Sequence, residues 1–373
     1  MLNSFLKILE GERPDEIVWT ADLDYWVSGQ RQAGTLDEKF QGEEGMLRLA
    51  RELGTMPYYW YEEFWLAAPI YEGVGVKEQT HDAETVRIWE TPVGELKEVS
   101  VFAKESCSQA CARYPVQNED DLKTLLYVLE HRRLTPVCLE NYDQRRRLWE
   151  KVDGIPSIAM PRSPLSALAV EWCGMENLVY LILDYPDLVR CILDLLEEQE
   201  KPIVDAVCKV APRLVHFSDN LTSEFYTPYF DKFMAGPYRR RLERLHSAGV
   251  KCAVHLDGTV RGLLGRLAEV GFDAIEALTP APVGDVDIGE MRELAGNDRV
   301  VLWGGVPGAM FAPPFKWPDM ERHVRRLLDL WSGTRFVVGV ADQIPANGDI
   351  EICRKITELI RNWQGQGCED IRS

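Results

Sequence analysis

Residues 250–278 read VKCAVHLDGTVRGLLGRLAEVGFDAIEAL. Val250–His255 is a short apolar run of strand length, Val260–Val270 has the apolar spacing of a helix, and Phe272–Glu276 is a second short apolar run. Strand, helix and strand in succession predict a parallel pairing with a crossover helix. Side chains alternate along a strand, so His255 and Asp257 share one face and Cys252 takes the other. Gly258 then breaks the run, and a strand's carboxyl end is where α/β folds place their chemistry.

The same rhythm extends both ways. Upstream, a helical pattern over Pro186–Val210 leads into Leu214–Phe217, and a helix near Gly236–Ser247 precedes the quoted stretch. Downstream, Ile288–Ala295 leads to Val300–Trp303, Asp319–Trp331 to Phe336–Val340, and Asp349–Trp363 closes as a helix. Five strand–helix units, with further strand candidates at Ile17–Ala21 and Ile158–Met160, predict a (β/α)₈ TIM barrel. Within the irregular first part, Arg87–Glu90, Thr91-Pro92-Val93-Gly94 and Glu95–Phe102 read as a β-hairpin, with the aromatic run Tyr58-Tyr59-Trp60-Tyr61 upstream. The expected organisation is one barrel domain over residues 1–373. Residues 1–150 supply an irregular amino-terminal part with cap and hairpin, and residues 151–373 the regular βα units.

Composition narrows the function. The 373 residues are 46% hydrophobic, carry a net charge of −18 and contain no apolar run of membrane-spanning length. Such a surface repels nucleic acid and anionic membranes, and the expectation is a cytoplasmic protein. Arg145-Arg146-Arg147 and Arg239-Arg240-Arg241 fall in helix-like patterns beside acids and read as solvated faces. The nine cysteines are scattered without a CxxC pair, which argues for buried thiols in a reducing compartment. Cys107 and Cys111 are spaced to share a helix face.

The predicted strand ends carry Arg162-Ser163, Ser218-Asp219-Asn220, His255 with Asp257, Glu276, Trp303-Gly304-Gly305 and Asp342-Gln343. Parallel barrel strands bring such residues to one face. One histidine among carboxylates suits a divalent metal or acid/base chemistry. Each residue also has a plain structural reading: aspartates cap helices and turns, and a histidine can be satisfied in a core.

At these residues the sequence resembles the uroporphyrinogen decarboxylase superfamily, and within it the corrinoid-linked methyltransferase branch. The resemblance is carried by Thr91-Pro92-Val93-Gly94, Tyr114-Pro115-Val116 before Glu119-Asp120-Asp121-Leu122, Arg162-Ser163-Pro164-Leu165, Ser218-Asp219-Asn220, His255-Leu256-Asp257-Gly258, Trp303-Gly304-Gly305-Val306-Pro307 and Asp342-Gln343-Ile344-Pro345. It implies a (β/α)₈ barrel and, for the methyltransferases, zinc held by a His-x-Cys pair and a later Cys. Here His255 stands at the histidine, Asp257 at the first cysteine, and Asp342 near the second. Carboxylates in place of thiolates leave a metal more Lewis-acidic, which suits polarising an ether or carboxylate oxygen better than activating a thiol.

The resemblance therefore implies a methyltransferase that works with a corrinoid carried by a partner protein and a small, methoxylated substrate. His255, Asp257 and Asp342 are the expected metal ligands, zinc first. Glu276 and Asp219 complete the catalytic set, while Tyr61, Glu62, Arg162, Asn220 and Trp303 are expected to bind substrate. A homodimer is compatible with this reading. Two alternatives stay open: a decarboxylase, or a catalytically silent barrel that binds a corrinoid partner or small ligand. Gln30-Arg31-Gln32-Ala33-Gly34 echoes the family's amino-terminal motif, but Thr35 replaces its second arginine.

Overall fold

The computed structural model describes residues 1–104, 107–137 and 139–369, with side chains described through residue 364. In chain order its strands are β1 (Trp19–Thr20), β2 (Ala67–Tyr71), β3 (Gly75–His81), β4 (Glu84–Thr91), β5 (Gly94–Ala103), β6 (Ser108–Arg113), β7 (Arg132–Pro136), β8 (Ile158–Met160), β9 (Leu214–Leu221), β10 (Lys251–Leu256), β11 (Ala274–Leu278), β12 (Val301–Pro307) and β13 (Phe336–Ala341). Among the described residues, one parallel sheet takes the order β1-β13-β12-β11-β10-β9-β8. This is a TIM-barrel order with one stave missing between β1 and β8.

Residues 56–66 fill the gap. On one side the Met56 N–H donates to Trp19 O (2.8 Å). On the other, Ile155 N–H donates to Pro57 O (3.0 Å), Ser157 N–H to Tyr58 O (2.8 Å) and Ala159 N–H to Phe64 O (2.7 Å), with Trp65 bridging Ala159 in parallel. The segment pairs on both edges, yet Tyr61–Glu63 interrupts it as a 3₁₀ turn.

The barrel interior is layered by strand alternation. Leu214, Ala253, Ala274, Val301 and Val337 form an apolar lower layer, packed with Phe5 and Ile8 of the helix Leu2–Glu10. Two residues further along three of these strands stand His216, His255 and Glu276. A larger apolar core lies outside the staves, where Phe217, Cys252, Val254, Ile275, Leu302 and Val338 meet the surrounding helices. Cys252 thus faces away from His255, as alternation requires.

The amino-terminal cap comprises an antiparallel meander, β3-β4-β5-β6, and the antiparallel pair β2-β7. Thr91 pairs with Gly94, which sets the expected hairpin. Cys111 lies in β6 with Cys107 just before it, so the helix face expected for this pair is a strand instead. Cys138 lies outside the described residues. Among the described residues no single helix is long and apolar enough to cross a membrane.

Several barrel strands carry left-handed residues in their carboxyl-terminal halves or just beyond. Asn220 (φ 50°), Ala277 (φ 61°) and Asp342 (φ 62°) are left-handed, as are Gly304 (φ 138°) and Gly305 (φ 88°). A Cβ on Gly304 would stand 2.5 Å from the Leu278 nitrogen, an unyielding backbone contact. Gly304→Ala is therefore expected to cost about 1–3 kcal/mol or more. Gly333→Ala, also left-handed but with nothing within 4 Å, is expected to cost less. Urea unfolding midpoints of the two variants check the difference.

Candidate active site

β10 and β11 run side by side in a register that pairs His255 with Glu276. The Nδ1–H of His255 donates to Oε2 of Glu276 (2.7 Å), and the Tyr58 hydroxyl donates to the other carboxylate oxygen (3.0 Å). Burial opposes a charge on His255. The Glu276 carboxylate, with Asp342 and Asp257 beyond it, outweighs that penalty and raises the imidazole to about 9. For Glu276 burial likewise works against ionisation, and His255 reverses it and holds the carboxyl low. The pair is thus an ion pair in a low-dielectric well, with Glu276 buried and His255 partly open to the mouth.

Asp257, just past β10, and Asp342, just past β13, stand on the same mouth. Asp342 is raised by burial and by the carboxylates of Asp257 and Glu276, against the pull of His255. Asp257 follows β10 and is exposed, its N–H donating to Leu221 O (2.9 Å). These two and His255 therefore lie within electrostatic reach of one another. Their ligand atoms, however, do not fall within 4.8 Å as a group. Among the described residues that grouping occurs for His246, Cys252 and Asp273, between a helix and the outer barrel wall.

Two carboxylates not expected from the sequence join the mouth. Asp22 is buried at the end of β1, accepts a hydrogen bond from Tyr59 OH and from the Asp24 N–H, and is pushed well up by burial and by Asp24. Burial raises Asp24 to about 6, with Arg31 opposing and Glu62 adding to the rise. The rule that picked Asp219 and Asp342, a carboxylate after an apolar strand, applies equally to Asp22-Leu23-Asp24 after Ile17–Ala21.

The other expected residues divide. Tyr61 lines the mouth: its hydroxyl accepts from Gln343 Nε2 (2.7 Å), and Gln343 Oε1 accepts from the Tyr25 N–H (3.0 Å). Glu62 is exposed on the 3₁₀ turn and touches the mouth through its charge alone. Arg162 donates to Ser218 O and to Asn220 Oδ1 (3.0 Å), which places both side chains on the β8–β9 side of the rim. Asp219 does not face the mouth. β9 continues through it, alternation turns it outward with Phe217, and it accepts from the Ser163 N–H (2.7 Å) and from Tyr238 OH. Trp303 sits within β12 rather than at its end. Its indole donates to Thr20 Oγ1 (2.8 Å) and packs against Phe5 and Tyr58.

His216 was legible as a strand residue but not as part of the site. Its Nδ1 pairs with Ser157 Oγ (2.5 Å), while its buried Nε2 has no hydrogen-bond partner among the described residues. Burial lowers it to about 4, against the attraction of Glu276. It is neutral at physiological pH and forms a floor with Tyr58, Tyr59, Phe64 and Trp303.

Comparison with known proteins gives three findings. The profile of the family described as Uroporphyrinogen decarboxylase (URO-D) matches residues 108–363. A methyltransferase from Methanosarcina mazei superposes with a TM-score of 0.63 at 13% identity, covering 97% of this chain and 98% of that one. A B12-independent methionine synthase from Shewanella sp. W3-18-1 superposes with a TM-score of 0.54 at 10% identity, covering 94% and 97%. At such identities the superpositions establish the fold. None of the curated proteins compared matches the sequence.

The low value for His216 carries a testable sign. An unfolded histidine titrates near 6.5, so folding excludes a proton that the unfolded chain binds. The stability held by neutral His216 is intact above about pH 6.5 and shrinks as pH falls towards 4. Thermal melts should show the parent protein losing more stability between pH 7 and pH 5 than His216→Gln. Equal losses would reject the assignment.

Proposed function

Because the chain belongs to the uroporphyrinogen decarboxylase family, we propose that it is a methyl-transferring enzyme. Its barrel mouth would take a small methoxylated substrate and pass the methyl group to a corrinoid carried by a partner protein. The observation that carries this reading is the His255–Glu276 pair, facing the Asp257 and Asp342 carboxylates.

The donor set fits a divalent metal in its chemistry. Glu276 occupies His255 Nδ1, so Nε2 would be the ligand atom once the ion displaces its proton, the arrangement seen where a carboxylate orients a metal-bound histidine. His255, Asp257 and Asp342 would hold the ion, zinc being the first candidate for one imidazole and two carboxylates. When bound, the ion supplies Lewis acidity to a substrate oxygen.

The chain's own groups do the positioning. Glu276 fixes the tautomer and rotation of His255, and Tyr58 in turn fixes Glu276. Gln343 ties Tyr61 to the backbone at Tyr25 and so holds the Asp342 loop against the β1 end. Asp22, its carboxyl raised by burial, stands at the rim as the candidate proton donor to a departing oxygen. The aromatic floor of Tyr58, Tyr59 and Trp303 excludes water from below.

Zinc titration by calorimetry tests the metal, and an absorbance assay of cob(I)alamin methylation from a methoxylated aromatic tests the reaction. About one equivalent of zinc should bind, with His255→Ala and Asp342→Asn each weakening it at least tenfold and abolishing transfer. No stoichiometric ion, together with transfer undiminished in His255→Ala, would overturn the proposal.

A further inference from the structure

A second cavity, of about 370 Å³, opens beside the rim between the end of β8 and the two cap sheets. His255, Glu276, Asp342 and Asp22 take no part in its walls, so it is separate from the polar well. Three arginine–tryptophan pairs frame it. The guanidinium of Arg87 lies 5.8 Å from the ring centre of Trp89, that of Arg132 lies 6.0 Å from Trp172, and that of Arg162 lies 5.9 Å from Trp65. Trp89 and Trp172 pack together at 5.1 Å and are buried, whereas Trp65 is 43% exposed at the entrance. A guanidinium held near an indole is weakly hydrated and keeps its N–H edge for a second partner.

The three cations differ in how well they are satisfied. Arg87 is paired with Glu78 and Glu98, and Arg162 faces Glu171 at 3.6 Å. Arg132 has no salt bridge among the described residues; its Nε and Nη2 both donate to the neutral amide oxygen of Gln199 (2.9 and 2.7 Å). Burial lowers the proton affinity of this guanidinium, against the pull of the Glu171 carboxylate and a hydrogen bond with Tyr71. Glu200, also in the wall, is committed to Arg241. Burial raises the carboxyls of Glu98 and Glu171 despite the arginines beside them. The buried indole N–H of Trp172 has no hydrogen-bond partner among the described residues. The walls thus set three arginines against three glutamates, and Arg132 is the arginine among them without a salt bridge among the described residues.

We propose that this cavity binds a small aromatic carboxylate, with the ring against Trp89 and Trp172 and the carboxylate on Arg132. An anion there answers a half-buried cation whose direct hydrogen-bond partners are neutral. The aromatic walls favour a planar ring. The volume lies at the low end of small-molecule sites, roughly 300–1,000 Å³, which suits one ring and excludes a corrin. The inference stands whatever reaction occurs at His255.

Calorimetric titration of the full chain with benzoate, and with benzyl alcohol and benzylamine as neutral and cationic counterparts, tests it. Benzoate should bind at one site at least tenfold tighter than benzyl alcohol, with benzylamine weaker still. Arg132→Gln should weaken benzoate at least tenfold, and Asp257→Ala should leave it unchanged. Arg87→Gln, on a more exposed residue, should weaken it severalfold and serves if Arg132→Gln fails to fold. Equal binding of benzoate and benzyl alcohol, no binding of either, or benzoate binding indifferent to the arginine variants would overturn the proposal. Loss in Asp257→Ala would overturn it too, by placing benzoate in the polar well.

Discussion

Closure of the barrel by residues 56–66 is the constraint on which the site depends. This stave is hydrogen-bonded to β1 through Met56 and to the β8 region through Pro57, Tyr58 and Phe64. It therefore fixes the tyrosines with backbone accuracy: Tyr58 against Glu276 and Tyr59 against Asp22. Without it the β1–β8 gap would open, and the His255–Glu276 pair would meet water. An ion pair in water is worth far less than one in a sealed well, so the electrostatics of the mouth follow from a backbone feature.

Much of the fold was legible because the outer staves are apolar on both faces and short, and the helices between them have helical spacing. His255 and Glu276 were legible as polar residues near the carboxyl ends of short, largely apolar runs on adjacent strands. The misplacements of Asp219 and Trp303 share one physical cause. Reading a strand's end from the end of its apolar run stops too early, since polar residues continue the strand at the mouth. β9 runs to Leu221 rather than Phe217, and β12 to Pro307 rather than Trp303. Asp219 consequently falls on the outward face and anchors the Ser163 turn, while Trp303 sinks into the barrel. The stave 56–66 was illegible as a strand because a 3₁₀ turn interrupts it.

The mouth gathers more acid than base. Glu276, Asp342 and Asp257 act on His255, Asp22 and Asp24 follow beyond Asp342, and burial together with mutual repulsion keeps several of these carboxyls above the usual range. Such a set is poised rather than relaxed. A cation or a proton donor entering it gains from every neighbour at once, which is how a site can bind strongly through few direct contacts.

The helix Leu2–Glu10 gives this arrangement a direction. With Phe5 wedged under Trp303 and an apolar layer above it, the barrel is a well with a stoppered base. Solvent, protons and small molecules come and go by the rim. Any large body that settles on that rim imprisons what the well already contains, so small cargo must board before a bulky visitor lands and disembark after it lifts off.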